Sequence, residues 1–484
     1  MEKAQVIERL QALLPTSAII SDAAGCRPYE SDGLTAIRQL PWLVVLPETE
    51  AQVVAVVKLC AELDLPLVAR GAGTGLSGGA RPHEQGILLG LSRLNRILEL
   101  DPARAVARVE PGVRNLAITE AAAEHGLYYA PDPSSQIACS IGGNVAENSG
   151  GVHCLKYGLT VHNVTGVRAV TASGEVLTLG GATLDDAGYD LLALLCGSEG
   201  MLAVITEITV RLLPAPAVRQ VLLAAFSDVA AAADAVSVVI ADGIVPAGLE
   251  MMDRLAIEAA EDFVQAGYPR DAAAILLCEL DGVPEEVATD AQRVQALFER
   301  SGATHVEVAV DPAAQARLWL GRKAAFPAVG RIAPDYYCMD GTIPRAELAG
   351  VLGTIARLSE RYGLQVANVF HAGDGNLHPL ILYDANVPGQ LEKAEAFGGE
   401  ILKACVAAGG TITGEHGVGV EKLDGMCAQF SQAELEQFER VRAALDPQAI
   451  LNPGKGIPTL ARCSEVGGMH VHGGRAPFGA VPRF

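Results

Sequence analysis

Two histidines and a Glu-His pair give the strongest chemical signal in the sequence. His371 and His378 lie in NVFHAGDGNLHPLIL, where apolar runs flank a DGN turn. This pattern predicts a hairpin-like reversal that brings the two imidazoles together at its mouth. Glu415 and His416 lie in GGTITGEHGVG, a second turn hinged by glycines. Two imidazoles completed by a carboxylate suit catalytic zinc or a similar divalent ion, so His371, His378 and Glu415 form a predicted metal site.

A glycine-rich loop is the second chemical signal. The segment from Gly73 to Gly78 satisfies the GxGxxG pattern and follows the apolar run LPLVAR, as in nicotinamide-binding sites. Those sites require a helix to begin at the third glycine, whereas this loop continues through Pro82 and Gly86 into the strand-like run ILLGLSRL. The loop is therefore predicted to be an anion nest, in which consecutive backbone N–H groups converge on phosphate oxygens.

A second glycine-dense stretch, from Pro131 to Gly158, reads PDPSSQIACSIGGNVAENSGGVHCLKYG. Its glycines allow the backbone to approach a flat ring closely, and Ser134, Ser135 and Asn144 offer polar contacts. Two such loops in one domain favour a long, flat dinucleotide over a mononucleotide.

The overall composition limits the classes of partner. A net charge of −21 argues against nucleic acid and against docking to anionic lipid through a basic patch. No apolar run approaches the roughly 20 residues that a membrane span needs, and MEKAQVIERLQALLP predicts an amphipathic helix. The ten cysteines form no CxxC pair, which predicts buried thiols in a reducing cytosol. We therefore expect a cytoplasmic protein that contacts a membrane only through partner subunits.

The elements that must position these residues fall into two halves. From Trp42 onward strands alternate with helices, and Pro214 and Pro216 mark the boundary. Beyond it, short strands such as AAILLCEL and THVEVAV separate Ala-rich stretches. These stretches predict helices over 218–242, 253–266, 283–301, 345–362 and 390–408. The pattern predicts an α+β domain with an antiparallel sheet covered by helices.

Four motifs in the first half carry a resemblance to a known family. RGAGTGLSGG, PDPSSQIACSIGGNVAENSGG, KYG and GSEGMLAVITE resemble the FAD domain of the vanillyl-alcohol-oxidase superfamily over residues 38–217. The resemblance implies a two-part, PCMH-type FAD-binding domain. It also implies non-covalent FAD, because no histidine lies between Arg70 and Pro82. The FAD-binding residues that it implies are Arg70, Gly71, Ala72, Gly73, Thr74, Gly75, Leu76, Ser77, Gly78, Pro131, Asp132, Ser135, Gly142, Gly143, Asn144, Ser149, Gly150, Tyr157, Gly158, Val204 and Ile205.

The second half resembles the substrate domain of FAD-linked D-2-hydroxy-acid dehydrogenases through HAGDGNLH, GEHGVG and LNPGK. Carried over by position, His371, His378 and Glu415 would be metal ligands and His416 the catalytic base. Asn452 and Lys455 of LNPGK would return to the first domain and support the flavin.

The substrate carboxylate has its own candidate in this resemblance. Arg322 in LWLGRK matches the position that binds it, and a planar guanidinium suits that bidentate task. Lys323 beside it is expected to point away on a helix. Relatives that oxidise dicarboxylic hydroxy acids place a lysine in the next strand, whereas residues 332–344 contain no lysine or arginine and Cys338 lies near that position. A small monocarboxylate is therefore favoured.

The runs LWLGRKAAFPAVGRIAPDYYCMDGTIPR and MHVHGGRAPF extend the resemblance to the FAD-binding subunits of bacterial glycolate oxidases. This implies oxidation of glycolate or a similar D-2-hydroxy acid to the 2-oxo acid, with hydride transfer to flavin N5. Electrons would then pass to an iron–sulfur subunit and a second FAD-type subunit rather than to NAD. The expected domains are a helical lead-in (1–37), the FAD-binding domain (38–217), the substrate or cap domain (218–445) and a C-terminal segment with its tail (446–484).

Three other functions remain open from the sequence. The chain could be an FAD-linked D-lactate dehydrogenase, or a non-catalytic flavin subunit that only passes electrons. It could also be a zinc hydrolase that uses the two histidines and Glu415 while its glycine loops are structural. The tail with His470 and His472 is predicted to be an ordinary mobile tail rather than a partner contact.

Overall fold

The computed structural model describes residues 2–181, 188–309, 311–459 and 462–463. The tail with His470 and His472 lies outside these ranges. Across the described ranges, no helix is long and apolar enough to cross a membrane.

A four-stranded sheet forms the first part of the N-terminal half. Its elements are α1 (Lys3–Gln11), β1 (Ile19–Ile20), α2 (Ala23–Cys26), β2 (Leu43–Val45), α3 (Glu50–Leu63), β3 (Leu67–Arg70) and β4 (Ile87–Gly90). The strand order is β1-β2-β4-β3, with β2, β4 and β3 parallel and β1 antiparallel to β2. Helix α3 begins after Thr49, whose hydroxyl accepts from the backbone N–H of Gln52. The glycine loop follows β3 directly.

A five-stranded antiparallel sheet forms the second part of this half. Its order is β5-β6-β10-β8-β9, and a short β11-β7 pair lies beside it. The elements are β5 (Ile97–Asp101), β6 (Val106–Val109), α4 (Asn115–Ala122), β7 (Leu127–Tyr128), α5 (Ile141–Glu147), α6 (Cys154–Tyr157), α7 (Thr160–Asn163), β8 (Val164–Val170), β9 (Val176–Gly180), α8 (Leu191–Leu195), β10 (Val204–Arg211) and β11 (Leu213–Pro214). The second glycine stretch is therefore interrupted by helices α5 and α6 and is not a continuous loop.

A seven-stranded antiparallel sheet organises the C-terminal half, in the order β15-β12-β14-β13-β17-β18-β16. Its elements are β12 (Val218–Phe226), α9 (Val229–Ala241), β13 (Gly248–Asp253), α10 (Arg254–Val264), β14 (Ala274–Gly282), α11 (Pro284–Arg300), β15 (Ala303–Ala309), α12 (Pro312–Val329), β16 (Asp335–Cys338), α13 (Leu348–Tyr362), β17 (Val366–Phe370) and β18 (Pro379–Tyr383). Helices α14 (Gln390–Ala407), α15 (Leu423–Gln429) and α16 (Gln432–Leu445) complete it.

Helices cover both faces of this sheet. Successive side chains of β12 point to opposite faces. Leu222 and Phe226 pack in the core formed with α9, α11, α13 and α14, whereas Leu223 and Ala225 pack in the core formed with α10 and α12. The predicted α+β class, with an antiparallel sheet under helices, is confirmed.

Two sequence predictions about this half have different outcomes. The reversal at HAGDGNLH is confirmed, because β17 and β18 pair antiparallel and His371 bridges to Asn376 across the turn. The helix expected over 218–242 is wrong for its first part, since 218–226 is strand β12 and helix α9 begins only at Val229. Both faces of β12 are buried, so the strand lacks the polar alternation that distinguishes it from a buried helix.

The prediction that all ten cysteines are free thiols is also wrong. Cys427 of α15 and Cys463 form a disulfide with a sequence separation of 36. The other eight are free, and all of them but Cys196 are buried. The pair was missed because thirty-five residues separate the two cysteines and neither lies in a motif.

Candidate active site

One cavity of about 370 Å³ joins the glycine-rich loops to the imidazole site. Its volume lies in the range of small-molecule sites. The predicted residues that line it are Arg70, Gly71, Ala72, Gly73, Thr74, Gly75, Leu76, Ser135, Gly142, Gly143, Asn144, Ser149, Val204, Ile205, His378, Glu415 and His416. The two halves of the chain therefore share a single site.

Other predicted residues do not line this cavity. Among the described residues, these are Ser77, Gly78, Pro131, Asp132, Gly150, Tyr157, Gly158, Arg322, His371, Asn452 and Lys455. Tyr157, for example, donates its hydroxyl to Asp281 of β14 at 2.7 Å and so joins the two halves.

The glycine loop after β3 has a backbone conformation that residues with side chains would adopt only under strain. Gly73 and Gly78 both have φ of +73°, which side chains rarely tolerate. The C-terminal segment braces the loop from behind, because Asn452 Nδ2 and Lys455 Nζ both donate to the carbonyl of Gly79, at 3.1 and 2.8 Å. LNPGK thus returns to the first domain as expected, but these two side chains bond protein carbonyls and do not reach the cavity.

The cavity also has a wall that the sequence did not predict. It consists of Asp32, Ala69, Ala80, Leu91, Pro111, Cys139, Ser140, Ala146, Glu147, Glu199, Gly200, Ala203, Lys323, Phe326 and Pro327. Gly79, Pro133 and Ser134 also line the cavity, and these three lie in the glycine-rich segments as predicted. Ser140, Glu147 and Glu199 lie inside motifs that the sequence analysis recognised. Nothing in those motifs, however, distinguished these three side chains from their neighbours.

The predicted metal ligands do come together. The Nε2 atoms of His371 and His378 lie 3.3 and 3.2 Å from Glu415 Oε1, and all three residues are buried. Glu250 of β13, which the sequence did not predict, holds His371 from behind through Nδ1 at 2.8 Å. A carboxylate behind a ligating histidine is the usual way to fix its ring and tautomer.

This donor set fits a divalent cation. His378 Nε2 is buried and makes no hydrogen bond, although Glu415 is close. Burial opposes charge on His371, but Glu250 and Glu415 outweigh it and raise its pKa well above the usual value. Burial likewise opposes charge on Glu415, yet His371 and His378 hold its pKa well below the usual value. The cluster thus attracts protons to the place where a metal ion would replace them.

His416 lies beside this cluster and faces the cavity. Its ring stacks on that of His378, with centroids 4.8 Å apart and planes within 2°. Burial, supported by the nearby His378, lowers the pKa of His416 to about 4 in spite of the opposing pull of Asp340. The imidazole is therefore neutral at physiological pH and can accept a proton.

Of the two neighbouring cations of α12, Lys323 lines the cavity and Arg322 does not. Arg322 is 2% exposed and its Nη2 lies 2.6 Å from Glu250, so it is part of a buried ion pair behind the ligands. Lys323, which was expected to point away, lines the cavity together with Phe326 and Pro327. These three residues share one helical face at i, i+3 and i+4. Which face of α12 meets the cavity depends on packing that the local pattern does not contain.

Comparison with known proteins identifies both halves. Residues 41–180 match the model described as FAD binding domain, and residues 215–456 match FAD linked oxidases, C-terminal domain. The glycolate oxidase subunit GlcD of Escherichia coli is 60% identical over 484 residues, which cover 100% of this chain and 97% of the relative. The same-named subunit of Bacillus subtilis is 38% identical, with 91% and 94% covered. A D-lactate dehydrogenase of Archaeoglobus fulgidus is 35% identical, with 87% and 92% covered.

Solved structures agree on the fold. p-Cresol methylhydroxylase with substrate bound superposes with a TM-score of 0.79 at 20% identity, over 95% of this chain and 97% of that one. The 4-ethylphenol oxidase of Gulosibacter chungangensis gives 0.78 at 19% identity, over 95% and 98%. These similarities confirm the predicted PCMH-type architecture. The chain belongs to the family of FAD-linked oxidases and is an FAD-dependent oxidoreductase.

Proposed function

We propose that this chain oxidises glycolate to the corresponding 2-oxo acid. The observation that carries the proposal is that one cavity is lined both by the glycine loops of the FAD-binding domain and by His378, Glu415 and His416. The relative at 60% identity over the whole chain is named a glycolate oxidase subunit, which supports this substrate.

Oxidation of a 2-hydroxy acid removes a proton from the hydroxyl and a hydride from the α-carbon. FAD, when bound, supplies the hydride acceptor at N5. In our proposal His416 accepts the hydroxyl proton, because its imidazole is neutral and faces the cavity. The 2-oxo acid then leaves, and His416 returns its proton to solvent.

The metal is a separate part of the proposal. His371, His378 and Glu415 would hold a divalent ion, with Glu250 orienting His371. Such an ion would act as a Lewis acid on the substrate oxygens. Its identity is open to zinc or a similar ion.

The substrate carboxylate needs a cation near the cavity. The family resemblance favours Arg322, whereas the cavity lining favours Lys323, which makes no hydrogen bond or ion pair with any described residue. We propose that Lys323 meets the carboxylate, because Arg322 would have to abandon its buried partner Glu250.

A D-lactate dehydrogenase is the second candidate. The relative from Archaeoglobus fulgidus carries that name at 35% identity. Glycolate and D-lactate differ by one methyl group, so kcat/KM measured on both acids separates the two functions.

Partner subunits belong to the same proposal. Relatives are named as subunits of glycolate oxidase, which supports an assembly with other chains. We propose that an iron–sulfur subunit and a second FAD-type subunit accept the electrons, that FAD is non-covalent, and that the chain works in the cytoplasm and reaches the inner membrane only through those partners.

The test follows the bleaching of the oxidised flavin when glycolate is added without oxygen. Wild-type protein should bleach, and H416A should bleach roughly 100- to 10,000-fold more slowly, as expected for loss of a general base. H125A serves as the control, since His125 is a solvent-exposed histidine in the short helix Ala123–His125. Undiminished bleaching by H416A would remove His416 from the mechanism, and no bleaching of the wild type would reject glycolate oxidation.

A further inference from the structure

A single buried carboxylate organises the turn that carries Glu415 and His416. Asp340 follows β16 and is fully buried. Its Oδ2 accepts from Thr413 Oγ1 at 2.6 Å, from the Gly414 N–H at 3.1 Å and from the His416 N–H at 2.9 Å. The Glu415 N–H reaches both carboxylate oxygens, at 3.2 and 3.3 Å. Four consecutive residues of the turn therefore wrap around one anion.

A buried lysine completes this anchor. Lys422 Nζ lies 3.0 Å from Asp340 Oδ2 and also donates to the Gly417 carbonyl at 3.0 Å. Burial disfavours the Asp340 anion, but Lys422, with smaller contributions from nearby histidines, outweighs it and holds the pKa of Asp340 well below the usual value. Asp340 is thus an anion that the surrounding donors fully satisfy.

The far end of the same turn is fixed by the other half of the chain. Glu199 accepts from the N–H groups of Val418 and Gly419, both at 2.7 Å. The turn is therefore held between a carboxylate of the substrate domain and a carboxylate of the FAD-binding domain. Neither end can shift without breaking at least two hydrogen bonds to a buried carboxyl group.

We propose that Asp340 is a positioning residue, which sets Glu415 and His416 in register with each other and with His378. Its Oδ1 lies 3.5 Å from His378 Nε2, so one carboxylate touches three members of the site. The proposal rests on the proposed function, because it assigns the register of that same proton-accepting group. Asp340 acts through the turn and is not itself assigned to the reaction.

Asp340 could either position the turn or bind a metal ion, and its contact with Lys422 favours the first role. Asp340, His378 and His416 have atoms close enough to hold an ion. The Asp340 oxygen near His378 is Oδ1, and the same carboxylate already binds a lysine ammonium, a hydroxyl and backbone N–H groups through Oδ2. An ion held by Asp340 would therefore share this carboxylate with the positive charge of Lys422. We therefore assign Asp340 to the turn and leave the ion to the other cluster.

The first experiment compares D340N with wild type and with D335N. Asp335 of β16 accepts from the Ala385 N–H outside the site and provides a matched control. Hydrogen exchange of the peptide spanning 411–420 should accelerate by about 100-fold in D340N, because an amide cannot accept all of these bonds. Flavin reduction by glycolate should slow by about 100-fold, the cost of a displacement near 1 Å. Bound FAD and its reduction by dithionite should stay as in wild type.

The outcomes separate the two proposals. If D340N binds FAD but matches wild type in both exchange and glycolate-driven reduction, the positioning role is overturned. If wild type itself is not reduced by glycolate, the proposed function fails, and the exchange measurement still tests the turn. A general loss of FAD binding and of every step together would indicate a merely structural role and would also overturn the proposal.

A milder pair guards against misfolding of D340N. T413V removes one hydroxyl donor to Asp340, whereas T413S keeps it. We expect T413V to slow flavin reduction by about 10-fold, because it loses a hydrogen bond to a charged group. T413S keeps this bond and should have the wild-type rate. Equal rates for the two variants would contradict the proposal.

Discussion

At the scale of single residues, the site depends on which buried charges have partners. Arg322, Glu250 and His371 form a continuous buried chain behind the cavity, while Lys323 faces the cavity one residue away. A charge that already has a buried partner is costly to redirect. The two neighbouring cations should therefore respond differently to the same substitution.

K323Q should raise the KM for glycolate about 10-fold with little change in kcat, since uniform binding is lost. R322Q should instead destabilise the fold by about 3 kcal/mol, because Glu250 loses one of its two buried partners and keeps only His371. Steady-state kinetics and thermal unfolding of both variants test this. If R322Q changed only KM and K323Q had the kinetics of wild type, Arg322 and not Lys323 would be the residue that binds the substrate carboxylate.

Removal of the metal tests the cluster of His371, His378 and Glu415. Dialysis against a strong chelator should lower glycolate-driven flavin reduction at least 10-fold, and zinc or manganese should restore it. E250Q should weaken the metal by about 10- to 100-fold, as loss of a carboxylate behind a ligand does. The metal content of each preparation, measured together with its rate of flavin reduction, tests both expectations. Full activity in metal-free protein would end the catalytic role of the ion.

The clustering of His371, His378, Glu415 and His416 was predictable because these residues lie in motifs with unusual glycine spacing. Glu250 and Asp340 were not, since each is a lone carboxylate at a strand or its end, and only packing brings it to the site. The position of Lys323 at the cavity was not predicted either, because residues adjacent on a helix differ by 100° and the buried face is set by tertiary contacts.

At the scale of elements, a histidine bridges the FAD-binding domain to the sheet of the second domain. His153, just before α6, contacts Asp132 Oδ2 at 2.8 Å and Glu279 Oε1 of β14 at 3.2 Å. Trp319 of α12 donates to the other oxygen of Glu279 at 2.6 Å, and Arg219 lies 3.8 Å from Glu279. The helix that carries Lys323 is thus tied to the loop that lines the cavity.

This bridge predicts a dependence of stability on pH. Burial opposes the charge on His153, but Asp132 and Glu279 outweigh it and raise its pKa from 6.5 to about 10. A raised pKa contributes stability that is complete below pH 6.5 and is lost as pH rises through about 10. Wild type should lose on the order of a few kcal/mol across this window.

H153Q is the matched variant, since glutamine keeps hydrogen bonding without titrating. Its free energy of unfolding should be lower than that of wild type near pH 6.5 and should fall less towards pH 10. Denaturant unfolding at several pH values measures both slopes. Parallel curves for the two proteins would exclude His153 as the source.

Elements with a clear period or turn were predictable, such as α3 and the β17–β18 hairpin. Strand β12 was not, because both of its faces are buried and its alanines and leucines also suit a helix. The helix α5 within the second glycine stretch was missed for a related reason. Its paired glycines disfavour a helix locally, and close packing on Pro111 explains the first of them, Gly142.

At the scale of the whole molecule, residues 450–452 return from the second half of the chain to the first sheet. Helix α16 leads to Leu451, which pairs in parallel with Leu67 of β3. Farther on, Cys463 is joined to Cys427 of α15. The alternation of strands and helices predicted two domains, whereas contacts between residues several hundred positions apart leave no local period that a sequence pattern could reveal.

Reduction of the disulfide should lower the stability of the folded chain. The two cysteines are 36 positions apart, and closing a loop of this length stabilises the folded state by roughly 3–4 kcal/mol in the chain-entropy model. C463S should reproduce the loss and should be insensitive to reductant. Thermal unfolding with and without reductant measures this. Identical melting of oxidised wild type and C463S would mean that the bond contributes nothing to stability.

The pairing of Leu67 with the C-terminal segment decides where this protein can be cut. The Leu67 N–H donates to the Ile450 carbonyl at 2.8 Å, and the Asn452 N–H donates to the Leu67 carbonyl at 2.7 Å. A fragment that ends at the domain boundary would leave the edge of β3 unpaired just before the glycine loop. Such an exposed strand edge can pair with another molecule and cause aggregation. The flavin-binding portion is therefore not a portable module, and any fusion or dissection must carry the distant end of the polypeptide along with it.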